Sequence, residues 1–364
     1  MRTHPFVLIV LLIITALAEA GEASLPPYQP RFGRERPVIA VVAQNRMTEL
    51  VDYVIPLGVL RRSAVAEVQA LATEPGPVQL APALKMQPQA TLEDFRRRYP
   101  QGADYVVVPA VHDSEDPALV GFIREQATKG AIVIGVCDGV LVLGHAGLLH
   151  DRRATGHWYS RGQRQADFPD AIWLENRRYV VDGNLMTTAG VTAALPASLA
   201  LVEAIAGTAR ATELAQDLGV PEWSPRHDSQ HFTLGASGYL TAAGNYLAFW
   251  RHDTFTVVLQ PGFDEISLAL NVDAWARTFR TKVKAKAQHP VTSTGGLLFL
   301  PDEAAGQPEL PQSSGSAILG LEEALSAIAS RYGEPTRRLV AAQLEYRSPE
   351  RSARQARRNS MDNP

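Results

Sequence analysis

The chain has 364 residues, of which 46% are hydrophobic, 20% charged and 7% aromatic, with a formal net charge of −3. So much apolar content at so little net charge excludes a disordered chain, and a charge near zero gives no electrostatic basis for wrapping nucleic acid. A single cysteine excludes an internal disulfide framework and any zinc site built from cysteines.

Residues 1–20 carry Arg2, an apolar run over 6–18 and the small-x-small ending Ala18-Glu19-Ala20. This is the layout of a secretory signal peptide cleaved after Ala20. The run is shorter than the roughly 18 residues a spanning helix needs, and an uncleaved N-terminal anchor is the alternative. Both readings place the remainder outside the cytoplasm, periplasmic or secreted, with no stable membrane association expected after cleavage. Residues 21–37 read as a Pro-rich leader.

The apolar run at 38–43 (VIAVVA) has strand length, and helical spacing follows over 48–62. YVVV at 105–108 predicts a buried strand ended by Pro109, residues 116–129 suit a helix stopped by Gly130, and AIVIGV at 131–136 is the next buried strand. Strands apolar on both faces, alternating with helices, predict an α/β fold with a parallel sheet sandwiched between helices. Beyond 208 the pattern loosens, and 211–253 reads as a linker region holding His227, His231 and His252. These histidines lack a carboxylate at motif spacing, so no metal site is expected from them.

A strand-helix-strand pattern then recurs over 254–346. With a spacing of 215 residues, Arg62-Ser63 matches Arg277-Thr278 and Val68 matches Val283; after a two-residue deletion, residues 83–88 match 296–301. The expectation is a truncated second copy of the first third, with chance likeness between two βαβ units as the alternative. Ser267 stands where the first copy has Asp52, and no second cysteine exists, so the copy is expected to be inactive and to pack against the first or complete a dimer-like interface. One helical segment is predicted over 321–346, and residues 347–364 read as a disordered basic tail.

The thiol falls where the strand at 131–136 turns directly into the next helical stretch. Such an elbow projects a nucleophile at the carboxyl edge of the sheet, where the helix N-terminus favours thiolate and offers N–H groups to an oxyanion. Gly139 allows close approach at the helix start. A buried structural cysteine is the alternative.

Residues 105–207 resemble the ThiJ/PfpI superfamily, the class I glutamine-amidotransferase-like fold, which is flavodoxin-like. The pieces that carry the likeness are YVVVPA, GVCDGVLVLGHAGLL, RRATGHW and VVDGNLMTTAGVTAALPASLALVEAIAG, with ELVDYVIPLGVLRR at 49–62 resembling the family's first helix. The likeness covers 38–210, and the branch it most resembles holds the amidotransferase-like domains of AraC-type regulators and the isocyanide hydratases. It implies Cys137 as nucleophile, His157 beside it, and Asp52 as the helix carboxylate that approaches the sulfur and sets its protonation. By pattern alone, Asp52 reads as a solvated helix residue.

Two departures stand out. Ala110 and Val111 follow the strand-ending proline where the family has glycines whose N–H serves the oxyanion, and Asp138 follows the nucleophile where small or hydroxyl side chains are usual. Asp138 opposes thiolate if it points inward and is benign if it caps the helix, its own N–H serving the oxyanion site. The sequence therefore predicts an exported protein whose cysteine acts on a small electrophilic molecule by hydrolase, hydratase or glyoxalase chemistry. The alternative is a non-catalytic redox-sensing or ligand-binding protein. No cofactor, metal or nucleic-acid partner is expected, and a homodimer is compatible with the fold.

Overall fold

The computed structural model describes residues 24–302, 308–311 and 315–347; the signal-like segment and the tail after Arg347 lie outside the described residues. Seven strands form one sheet in the spatial order Tyr179–Asp182, Leu185–Thr188, Ile132–Gly135, Tyr105–Val108, Val38–Val41, Glu67–Ala72, Ala90–Thr91. All neighbours run parallel except the outer hairpin Tyr179–Asp182/Leu185–Thr188.

Alternate residues of the central strands enter two different apolar clusters. Ile39, Val41, Tyr105, Val107 and Ile134 join helices Leu50–Ser63 and Ala194–Ala206. Val38, Ala40, Val106, Val108 and Val133 join helices Leu92–Arg98, Pro117–Thr128 and Gly139–His145 on the other face. A strand apolar at every position is thus what a sheet covered on both sides requires.

Three sequence expectations need correction. The stretch predicted as one segment over 321–346 is two helices, Ala317–Tyr332 and Glu334–Leu344, broken at Gly333 with φ +88° and followed by Pro335. The region read as a linker carries helices Thr208–Leu218 and Ala236–Leu247. The first helix begins at Leu50 because Thr48–Glu49 form a short strand beside Val78–Ala81.

The C-terminal part folds as Asp253–Val258, Glu265–Ala276 and Thr281–Lys286, a parallel βαβ unit, with Leu298–Leu300 beyond it. It meets the N-terminal part in two reciprocal ways. In a five-stranded sheet, Leu298–Leu300 runs antiparallel to Lys85–Gln87, pairing Leu298 with Gln87, Phe299 with Met86 and Leu300 with Lys85. Helix Glu265–Ala276 packs on helix Leu50–Ser63, where Arg62 meets Asp264 at 2.9 Å and Arg277 meets Glu49.

Candidate active site

Strand Ile132–Gly135 passes through Val136 and Cys137 into helix Gly139–His145. Cys137 adopts φ +55°, a left-handed backbone that side chains disfavour, and its N–H donates to Thr188 Oγ1 at 3.2 Å. The turn is tight enough that a Cβ on Gly139 would lie 2.1 Å from the Val108 carbonyl oxygen, so only glycine fits.

Two stretches converge here, and a third acts on the sulfur electrostatically. Sγ of Cys137, a carboxylate oxygen of Asp138 and a ring nitrogen of His157 all lie within 4.8 Å of one another. Among the described residues no other group of three or more histidine, cysteine and carboxylate donors gathers so closely. Asp52, from helix Leu50–Ser63, is fully buried and raises the Cys137 thiol electrostatically. It is not the solvated residue that its pattern alone suggested.

The thiol differs from the sequence expectation. Cys137 is only 6% exposed and belongs to an apolar cluster with Val136 and Val191, so it does not sit at an open pocket mouth. Burial, followed by the charges of Asp52, Asp138 and Glu49, pushes the thiol well above its ordinary value, and only Arg277 pulls it down. The helix N-terminus therefore does not produce a thiolate; desolvation and the surrounding acids outweigh it. Asp138 makes no capping hydrogen bond through its side chain, which leaves its carboxylate on the sulfur's side of the turn.

Two of the acids around the sulfur, Asp52 and Glu49, are themselves raised. Asp52 is raised well above the usual carboxylate range by burial and then by Glu49, and the Ala110 N–H only partly offsets this. Its Oδ2 accepts from that N–H at 3.2 Å, while Oδ1 is buried without a hydrogen bond. Glu49 is pushed up to about 8, chiefly by burial. The sulfur thus faces two carboxyl groups, Asp52 and Glu49, that burial pushes toward their protonated forms.

The loop after Pro109 is also committed elsewhere. The Ala110 N–H is taken by Asp52, the Ala110 carbonyl accepts from Glu49 N–H at 2.9 Å, and Val111 bridges to Thr48. Ala110 therefore does not present the free donor that the family glycine would.

His157 is held by partners that sequence reasoning missed. Its Nε2 donates to the Gln343 carbonyl at 3.0 Å, and its Nδ1 accepts from Tyr159 N–H at 3.3 Å, a tautomer assigned from these partners. Behind it, Glu345 receives Trp158 N–H at Oε1 (3.2 Å) and His227 at Oε2 (2.8 Å). Burial would raise the Glu345 carboxyl, but the hydrogen bond from His227 and the proximity of both histidines outweigh it and hold the group low. A cavity of about 490 Å³ reaches His227 and Glu345 from Pro196, Val220 and Tyr346. His252 is far from this role, bonded to the Asn245 carbonyl at 2.9 Å; the side chain of His231 lies outside the described part. No local motif flags Glu345, which enters through a left-handed residue just past the last helix.

A family model described as the DJ-1/PfpI family matches residues 38–204. The isonitrile hydratase of Pseudomonas putida is 32% identical over 188 residues, spanning 48% of this chain and 79% of that protein. The chain belongs to the DJ-1/PfpI family. The HTH-type transcriptional regulator CdhR of Pseudomonas aeruginosa is 28% identical, and the match covers 50% of this chain and about half (54%) of the regulator. The Danio rerio Parkinson disease protein 7 homolog is 26% identical over 49% of this chain and 95% of its own. Among solved structures, a ThiJ/PfpI family protein from Pseudomonas syringae aligns with TM-score 0.49 and 24% identity, covering 60% of this chain and 92% of that one. The DJ-1/PfpI match ends before helix Thr208–Leu218, so the C-terminal βαβ unit lies outside it.

Proposed function

We propose that this DJ-1/PfpI chain is an exported enzyme in which Cys137 adds to the electrophilic carbon of a small molecule, with hydration of an isonitrile as the leading reaction. The observation that carries the reading is the gathering of a left-handed Cys137, Asp138 and His157 within 4.8 Å, with buried Asp52 acting on the sulfur electrostatically. A thiol that keeps its proton beside carboxylic acids suits an electrophile that must be protonated as sulfur attacks. For an isonitrile, sulfur bonds to the terminal carbon while that carbon gains a proton, giving a thioimidate. Water then adds to this carbon and the thiol leaves with its proton restored, so isonitrile plus water becomes a formamide. In this reading Asp52 passes the proton, while His157, whose two ring nitrogens are bonded to Gln343 and Tyr159, walls the site beside the sulfur. The kinship with isonitrile hydratase supports this class, and export rests on residues 1–20 alone.

The test is turnover of simple isonitriles and of methylglyoxal by purified protein, with Cys137→Ala as control. Cysteine-dependent formamide or lactate is the expected result, and no cysteine-dependent product across a panel of electrophiles would end the enzyme reading. The commitment of the Ala110 N–H to Asp52 favours a second reading, non-catalytic ligand binding. Ligand-induced thermal stabilisation without turnover would support it. Redox sensing is the weaker alternative, because oxidation starts from a thiolate and this thiol is held protonated.

We further infer that the C-terminal βαβ unit is a partial second copy that occupies the place of a partner subunit. Two equivalent surfaces meeting across a two-fold axis make reciprocal contacts. Here Met86 and Phe299, matched by sequence, pair with each other, and Arg62–Asp264 mirrors Arg277–Glu49 at a spacing of 215 residues in both partners.

A further inference from the structure

Helix Ala236–Leu247 inverts the usual amphipathic arrangement. Its small residues Gly238, Thr241, Ala242 and Asn245 are half-buried and face the protein, packing on helix Glu334–Leu344. Asn245 fixes it by donating to the Thr278 carbonyl at 2.9 Å and to Thr336 Oγ1 at 3.1 Å. The large side chains point the other way: Tyr239, Leu240, Tyr246 and Leu247, joined by Phe249 and Trp250 of the next turn, are 55–74% exposed. Six large apolar side chains within twelve residues are too concentrated for an ordinary water-facing surface.

Charge decides the occupant. Residues 229–252 contain no carboxylate. Arg251 is exposed directly after Trp250, and Arg338 is exposed on the supporting helix. Arg338 and Arg347 border the groove between the two helices, and the sequence continues with Arg351, Arg354, Arg357 and Arg358. A shallow row of Leu, Phe, Trp and Tyr flanked by cations is complementary to a bilayer surface, where acyl chains accept the apolar tips, Trp and Tyr favour the interfacial level, and anionic headgroups meet the arginines.

We propose that this face docks the protein flat onto an anionic lipid surface, against the expectation that it leaves the membrane once the leader is cleaved. No helix among the described residues is long and apolar enough to cross a membrane, so the contact is peripheral. The test is flotation of the chain beginning at residue 21 with vesicles of phosphatidylcholine, alone or with phosphatidylglycerol. The parent should float with phosphatidylglycerol vesicles. Leu240→Ser/Leu247→Ser/Trp250→Ser should weaken binding at least about tenfold while keeping the parental thermal midpoint, since the three residues are exposed. Arg251→Gln/Arg338→Gln should lose only the preference for phosphatidylglycerol. A parent that stays at the bottom with both vesicle types overturns the proposal. So does a parent dimer that the triple substitution splits, which would assign the face to a second copy.

Discussion

At the scale of single residues, the thiol site stores protons rather than negative charge. Glu49 has its folded value raised from the ordinary 4.5 to about 8, so between those values the folded protein holds a proton that the unfolded chain has released. Stability must then fall as pH rises through that window, because burial outweighs the pull of the Arg277 guanidinium on Glu49. Buried Asp52 and Asp273, both raised, act in the same direction. We expect the thermal midpoint to drop between about pH 5 and 8, and Glu49→Gln to flatten that slope; a parent midpoint that climbs over this interval would contradict the assignment. The residues involved were unevenly legible in the sequence. Cys137 was readable because a lone cysteine at a strand-helix junction has few explanations, and Asp52 and His157 through the family likeness. Glu49, Arg277 and Glu345 were hidden because their roles depend on contacts made from 118 to 228 residues away in the chain.

At the scale of elements, periodicity identified the strands that are buried on both faces, since an unbroken apolar run has little other use. It failed where packing overrides pattern. Leu298–Leu300 and Lys85–Gln87 are three-residue strands whose existence depends on each other, and helix Ala236–Leu247 shows its apolar side outward. The elbow is the most constrained element. Gly139→Ala forces a methyl group against the Val108 carbonyl, and we expect a loss of about 3 kcal/mol or more, with altered Cys137 alkylation kinetics. Full stability and unchanged alkylation in that variant would mean the turn is looser than described.

At the scale of the whole molecule, Arg277 ties the C-terminal unit to the half that carries Cys137. It bonds Glu49 on one side and Asp273 at 2.7 Å on the other, and burial opposed by these two acids leaves its guanidinium more firmly protonated than usual. It is also the cation that lowers the Cys137 thiol. Arg277→Met should therefore cost about 3–5 kcal/mol by stranding two buried acids, and should shift Cys137 alkylation to still higher pH. The reciprocal contacts further predict that the DJ-1/PfpI domain meets no identical subunit through helix Leu50–Ser63, because helix Glu265–Ala276 already covers it.

That coverage changes how the two halves can drift under mutation. In an assembly of identical subunits every substitution is written twice, so a change that helps one side of the axis burdens the other. On the proposed reading of the C-terminal unit as a tandem copy, the sides are free to specialise: one retains Cys137 and Asp52, while the other carries Ser267 in the matching position and keeps Arg277 as its donation to its neighbour.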